Sequence, residues 1–137
     1  MITRRDALQG TPLLLLLQAA AHAQPPAKQA EQGLVFQQDL PNLTTDGWQV
    51  TVSEIHEAPG QVGKPHRHPG FVLVYVLEGE VVAKISGGPE KTYKAGEMFY
   101  EYPGSTHEVS RNASATKPAR FLAFIFAKKG LPLTTPV

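Results

Sequence analysis

The sequence predicts a single all-β domain, a sandwich or barrel of short strands. Three observations carry that reading. Strand-like runs recur with turn signals between them about every 8–12 residues. Twelve Gly and twelve Pro supply the turns, more than a helical bundle would tolerate. No apolar stripe at helical spacing follows residue 33. The 137 residues fit one domain. Trp48, four Tyr and six Phe, with many Val, Leu and Ile, are enough for a packed core.

The elements follow in order. Residues 48–57 alternate, with Val50 and Val52 on one face and Thr51 and Ser53 on the other, which is the period of a strand. Pro59-Gly60 stops it. Residues 71–77 form a short Val-rich apolar run between Pro69-Gly70 and Glu78-Gly79, the mark of a buried strand. A strand at 80–86 ends at Gly87-Gly88-Pro89, and strands at 91–94 and 97–102 flank Ala95-Gly96. Strands at 107–111 and 118–127 complete the set. Gly60, Gly79, Gly96 and Gly104 are expected at turns that need positive φ.

Residues 1–23 read as a signal peptide. Arg4 and Arg5 open it, an apolar stretch runs from Thr11 to Ala21, and Ala21-His22-Ala23 offers the small residues a signal peptidase reads. The stretch is about half of what a membrane-spanning helix needs. No membrane span is therefore expected after cleavage. Thr3-Arg4-Arg5-Asp6-Ala7-Leu8 is similar to a twin-arginine export signal, which would deliver the protein, already folded, to the periplasm or the exterior. The general export route is the alternative. Residues 24–45 read as a lead-in, 46–128 as the barrel and 129–137 as a C-terminal tail.

Composition excludes several functions. The chain has no Cys, so thiolate metal sites, catalytic thiols and disulfides are out. Lys and Arg number 13 against 12 Asp and Glu. Cleavage removes Arg4, Arg5 and Asp6 and leaves a formal charge of zero. A nucleic-acid partner is not expected from that balance.

The chemistry lies in the histidines. His66 and His68 form an HxH pair, which a strand projects to one side. Two neutral imidazoles reaching one point are good ligands for a borderline divalent metal. His107 lies beyond Gly96 and Gly104. Together the stretch from Gly60 to Asn112 resembles the cupin superfamily. Its first motif is matched by Gly60, His66, His68 and Gly79, its second by Gly96, Pro103, Gly104, His107 and Asn112. The resemblance implies a double-stranded β-helix, or jelly-roll barrel, with a metal in its mouth held by His66, His68 and His107. The chain departs from the pattern in carrying Val72 where the family has Glu, and in placing Pro103 and Asn112 one position late.

Three imidazoles without a carboxylate would leave a divalent ion at its full charge and favour an anionic ligand. Glu101 is the first candidate for a substitute carboxylate or a catalytic acid or base, with Glu97 and Glu54 behind it. His56 is a candidate fourth ligand or pocket base. The metal would be Fe, Mn, Ni, Cu or Zn, and the partner a small-molecule substrate or ligand. Two functions are compatible with these residues: dioxygenase-like or isomerase chemistry, and non-catalytic capture of a small ligand or metal. A homodimer is expected, covering the open edges of the jelly roll.

Overall fold

The computed structural model describes residues Gly33–Val137. The expected signal peptide lies outside them, as does the first part of the lead-in, residues 24–32. Residues 33–45 contain no strand or helix. Nine strands then follow: β1 (Trp48–Glu57), β2 (His66–Arg67), β3 (Phe71–Glu78), β4 (Glu80–Ile85), β5 (Lys91–Lys94), β6 (Met98–Glu101), β7 (Thr106–Asn112), β8 (Ala119–Lys128) and β9 (Thr135–Pro136). Among the described residues there is no helix. The all-β expectation holds, and the bounds of β1 and β5 are those read from the sequence.

All pairings are antiparallel. One sheet has the order β1-β8-β3-β6, the other β5-β4-β7-β2-β9. The strands thus pass from one sheet to the other, as a jelly roll requires. The core lies between the sheets. Val72, Val74 and Val76 from β3 meet Phe121, Ala123 and Ile125 from β8, with Val81, Ala83 and Phe99 behind them. The Val-rich run of β3 is a buried strand because both sheet neighbours are apolar there.

The alternation in β1 resolves with its two valines outward. Val50 and Val52 are each about half exposed, while Ser53, Ile55 and Glu57 face the interior. Val50 and Val52 sit opposite Phe126 and Phe124 of β8. Residues 129–137 do not merely trail away: within them β9 adds to the edge of β2, placing Pro136 opposite His66 and Thr135 opposite Arg67.

The four motif glycines named above all have positive φ. At Gly79 the reason is doubled. Its φ is 72°, and a Cβ there would sit 2.6 Å from the Pro118 carbonyl oxygen.

Asn112 ties the end of β1 to the β7–β8 connection. It is buried. Its Nδ2 donates to the carbonyls of Glu57 (3.3 Å), Ala58 (3.1 Å) and Lys117 (2.8 Å), and its Oδ1 accepts from Ser114 N–H (2.9 Å). Removing the amide would leave buried carbonyls without donors. Asn112→Ala is expected to cost about 2–4 kcal/mol of stability, read as a lower denaturant midpoint with an unchanged slope.

Candidate metal centre

The register of β2 against β7 places His66 directly opposite His107. Directly opposed residues in an antiparallel pair project to the same face, so the two rings meet, with centroids 5.1 Å apart. His68 follows just beyond β2, its ring 4.9 Å from that of His66. Glu101 ends β6 in the other sheet and reaches the same point from across the barrel. Its Oε2 lies 3.6 Å from His68 Nε2, and its Oε1 lies 3.3 Å from His107 Nδ1.

The ligating atoms of His66, His68 and Glu101 all lie within 4.8 Å of one another. Atoms bound to one ion at about 2.1 Å are at most about 4.2 Å apart, so the three stand near coordinating distance. Hydrogen bonds set the tautomers. His66 Nδ1 is 2.9 Å from the Lys64 carbonyl and His68 Nδ1 is 2.6 Å from the Leu133 carbonyl. A carbonyl only accepts, so Nδ1 carries the proton in both rings and Nε2 keeps its lone pair for the site. Burial pushes the His68 imidazole below its usual range, against the opposing pulls of Glu101 and the Leu133 carbonyl. The neutral form that results is the one that binds metal.

His107 Nε2 is buried with no hydrogen-bond partner among the described residues. His107, expected as the third ligand, is not in the converging set, and it is its Nδ1 that faces Glu101; the two free Nε2 lone pairs and the carboxylate make up that set. The donor set fits a borderline divalent ion.

The cluster opens on a cavity of about 460 Å³. Its walls include Val74, Phe121, Ala123 and Ile125 on the apolar side, and Glu57 and Ser110 on the polar side. Leu133 and Thr134, from the segment expected to be a tail, also line it.

The cupin domain family matches residues 53–125. The chain belongs to the cupin family. A germin-like protein of Arabidopsis thaliana, subfamily 2 member 2, is 37% identical over 89 residues, covering 61% of this chain and 39% of that protein. The chain thus spans well under half of that relative. Among solved structures, a protein with a double-stranded β-helix domain from Klebsiella pneumoniae superposes with a TM-score of 0.54 at 25% identity, over 64% of this chain and 70% of the other. A predicted oxalate decarboxylase from Thermotoga maritima gives 0.52 at 26%, over 62% and 75%. A DMSP lyase from Ruegeria pomeroyi gives 0.56 at 17%, over 64% and 43%, a likeness of fold.

Within the cupin frame, the departure at Val72 acquires a geometric counterpart. Val72 on β3 is the direct cross-strand partner of Glu101 on β6. The two side chains leave the sheet on the same face. Val72 is fully buried, and the carboxylate stands one strand over. Glu101 was a candidate substitute in the sequence, and the structure brings it to the histidines.

The remaining candidates are not brought there. His56 and Glu54 occupy the outward face of β1. The His56 side chain is 71% exposed, its Nε2 3.2 Å from Glu54 Oε1, and Glu54 also accepts from Arg120 at 2.9 Å. His56 is out of phase with the cavity-lining residues, so its expected place as pocket base or ligand is corrected. Glu97 accepts from the Lys94 backbone N–H at 2.8 Å and serves the β5–β6 turn. Two contributors escaped the sequence reading. Glu57 had a signal, its phase with Ser53 and Ile55. The Leu133 carbonyl had none.

If Glu101 stands in for a carboxylate at Val72, the two positions should exchange roles. Glu101→Val is expected to lower metal affinity by about 10–100-fold. Adding Val72→Glu should restore part of it, read by metal titration of both variants.

Proposed function

We propose that this cupin is a metal-dependent enzyme acting on a small anionic molecule, with dioxygenase-like or isomerase chemistry. His66, His68 and Glu101 would hold the ion, with His107 beside them. The observation that supports this above all is the convergence of two imidazole lone pairs and one carboxylate. Two His and one carboxylate is the donor set of non-haem iron(II) oxygenases, and Mn, Ni, Cu and Zn share part of that preference. A bound divalent ion supplies Lewis-acid polarisation of an oxygen ligand and, where redox-active, chemistry with O₂.

The chain's own residues govern what approaches. Glu101 cancels one unit of cation charge and leaves a net positive site, which favours an anionic ligand. His107 Nδ1, 3.3 Å from Glu101 Oε1, can donate to that carboxylate and orient it. Val74, Phe121 and Ile125 keep water from the apolar side. The name of the Thermotoga maritima neighbour, a predicted oxalate decarboxylase, agrees with a small carboxylate as substrate. The competing reading, a ligand-binding module without turnover, draws on the absent carboxylate at Val72. Glu101 supplies one, which favours the enzyme.

Export belongs to the same proposal, supported by Arg4, Arg5 and the short apolar stretch after them. Twin-arginine cargo crosses folded, so the ion could be taken up before export. Changing both arginines to Lys is expected to keep the protein from the periplasm, read by cell fractionation.

The decisive experiment is metal content by mass spectrometry, followed by O₂ consumption over phenolic, thiol and diketone substrates. About one ion per chain is expected, lost in a His66→Ala, His68→Ala double variant. A folded native protein without metal would overturn the metal reading. Metal and ligand binding without turnover would favour the module.

A further inference from the structure

The cavity has a second polar end that the metal cluster does not use. Glu57 is 3% exposed and lines the cavity from the inner face of β1. Its Oε2 is buried with no hydrogen-bond partner among the described residues. No Lys or Arg pairs with it among the described residues. Ser110 lines the same cavity. Burial pushes the Glu57 carboxyl up, against smaller opposing pulls from Ser110 and His107.

Ser110 faces inward for a local reason. His107 and Ser110 are an odd number of residues apart on β7, so a regular strand would turn one of them out. The pairing of β7 with β4 shifts register between Lys84 and Ile85, where Lys84 opposes Val109 and Ile85 opposes His107. Glu108 is the extra residue of that bulge. The irregularity lets His107 serve the cluster and Ser110 face inward on the same strand. Gly63 leaves room for it, since a Cβ there would lie 3.2 Å from the Ser110 carbonyl oxygen and 3.3 Å from its Cβ.

A buried carboxyl with a free oxygen is costly to the fold, and the neighbouring walls, Ile55, Phe121 and Ala123, are apolar. We propose that Glu57 and Ser110 bind a hydroxyl group of the substrate, while its anionic end reaches the metal cluster. The substrate class is then a small hydroxy acid. The rise of a strand puts Ser110 no more than about 10 Å along β7 from His107, which limits the ligand to a few carbons. This rests on the metal-site reading for the anionic end. The hydroxyl end stands on Glu57 and Ser110 alone.

Two probes of nearly equal shape separate the ends: 4-hydroxybutanoate and pentanoate, in which a methyl replaces the hydroxyl. Calorimetry on the purified protein, with metal content measured on the same samples, reads both. The native protein is expected to prefer 4-hydroxybutanoate by about tenfold or more. Glu57→Met should abolish the preference, keep the native metal content and raise the thermal midpoint by about 2–5 °C, because a buried unpaired polar group is gone. Glu57→Gln should keep part of the preference and guards against a folding failure in the Met variant. A native protein that prefers neither probe overturns the inference whatever its metal content. So does a preference that survives in Glu57→Met, or a midpoint that falls there, since that marks the carboxyl as structural. A metal-free native protein that still prefers the hydroxy acid would keep the Glu57 end and overturn only the metal reading.

Discussion

A slip of one residue between β2 and β7 would turn His66 to the far face of its sheet, away from His107. The same slip between β3 and β6 would carry Glu101 out of the barrel. The site therefore depends on two strand registers, one in each sheet. The second is held by hydrophobic burial, because Val72, Val74 and Val76 must face the core together. The first has only two residues of strand to work with. It is held by pairing on both sides, with β7 and β9, and by Arg67, whose Nε donates to Thr106 Oγ1 at 2.9 Å across the pair. Core packing thus positions the carboxylate, and polar cross-strand contacts help position the histidines.

The cluster is expensive to bury. A carboxylate taken out of water needs compensating charge or hydrogen bonds, and among the described residues Glu101 finds only the imidazoles of His107 and His68, at 3.3 and 3.6 Å. His66 and His68 keep their Nε2 lone pairs directed inward because backbone carbonyls accept from their Nδ1 atoms. Those two lone pairs and the carboxylate face one another as acceptors. A cation resolves that conflict, and this is the physical sense in which the residues fit a metal. It also explains how a carboxylate can move from one strand to its neighbour. A point between two sheets can be reached from any strand whose register brings a side chain to that face, and Val72 and Glu101 share theirs.

Much of this was legible in the sequence. The long strands announced themselves through alternation or Val-rich runs bounded by Gly and Pro. The spacing of His66, His68 and His107 identified the frame. What stayed hidden had physical causes. β2 and β9 have two residues each, too few for any period, and Pro136 in β9 argues for an edge if for anything. The phase of β1 was ambiguous because apolar residues stand on both of its faces, Val50 and Val52 outward and Ile55 inward. That ambiguity made His56 a candidate and passed over Glu57, one residue away and in the right phase. The inward turn of Ser110 depends on a bulge, which alternation cannot show.

The hydrogen bond from His68 to the Leu133 carbonyl joins two parts of the chain far apart in sequence. During synthesis, His68 leaves the ribosome some 65 residues before its acceptor does. The sheets can begin to pair in that interval, but the His68 ring has no acceptor to fix its tautomer until Leu133 has emerged and β9 has docked. The geometry of the cluster is thus completed late, after most of the barrel has been made. The order of synthesis therefore puts the surrounding walls in place before the last of these tautomers is fixed.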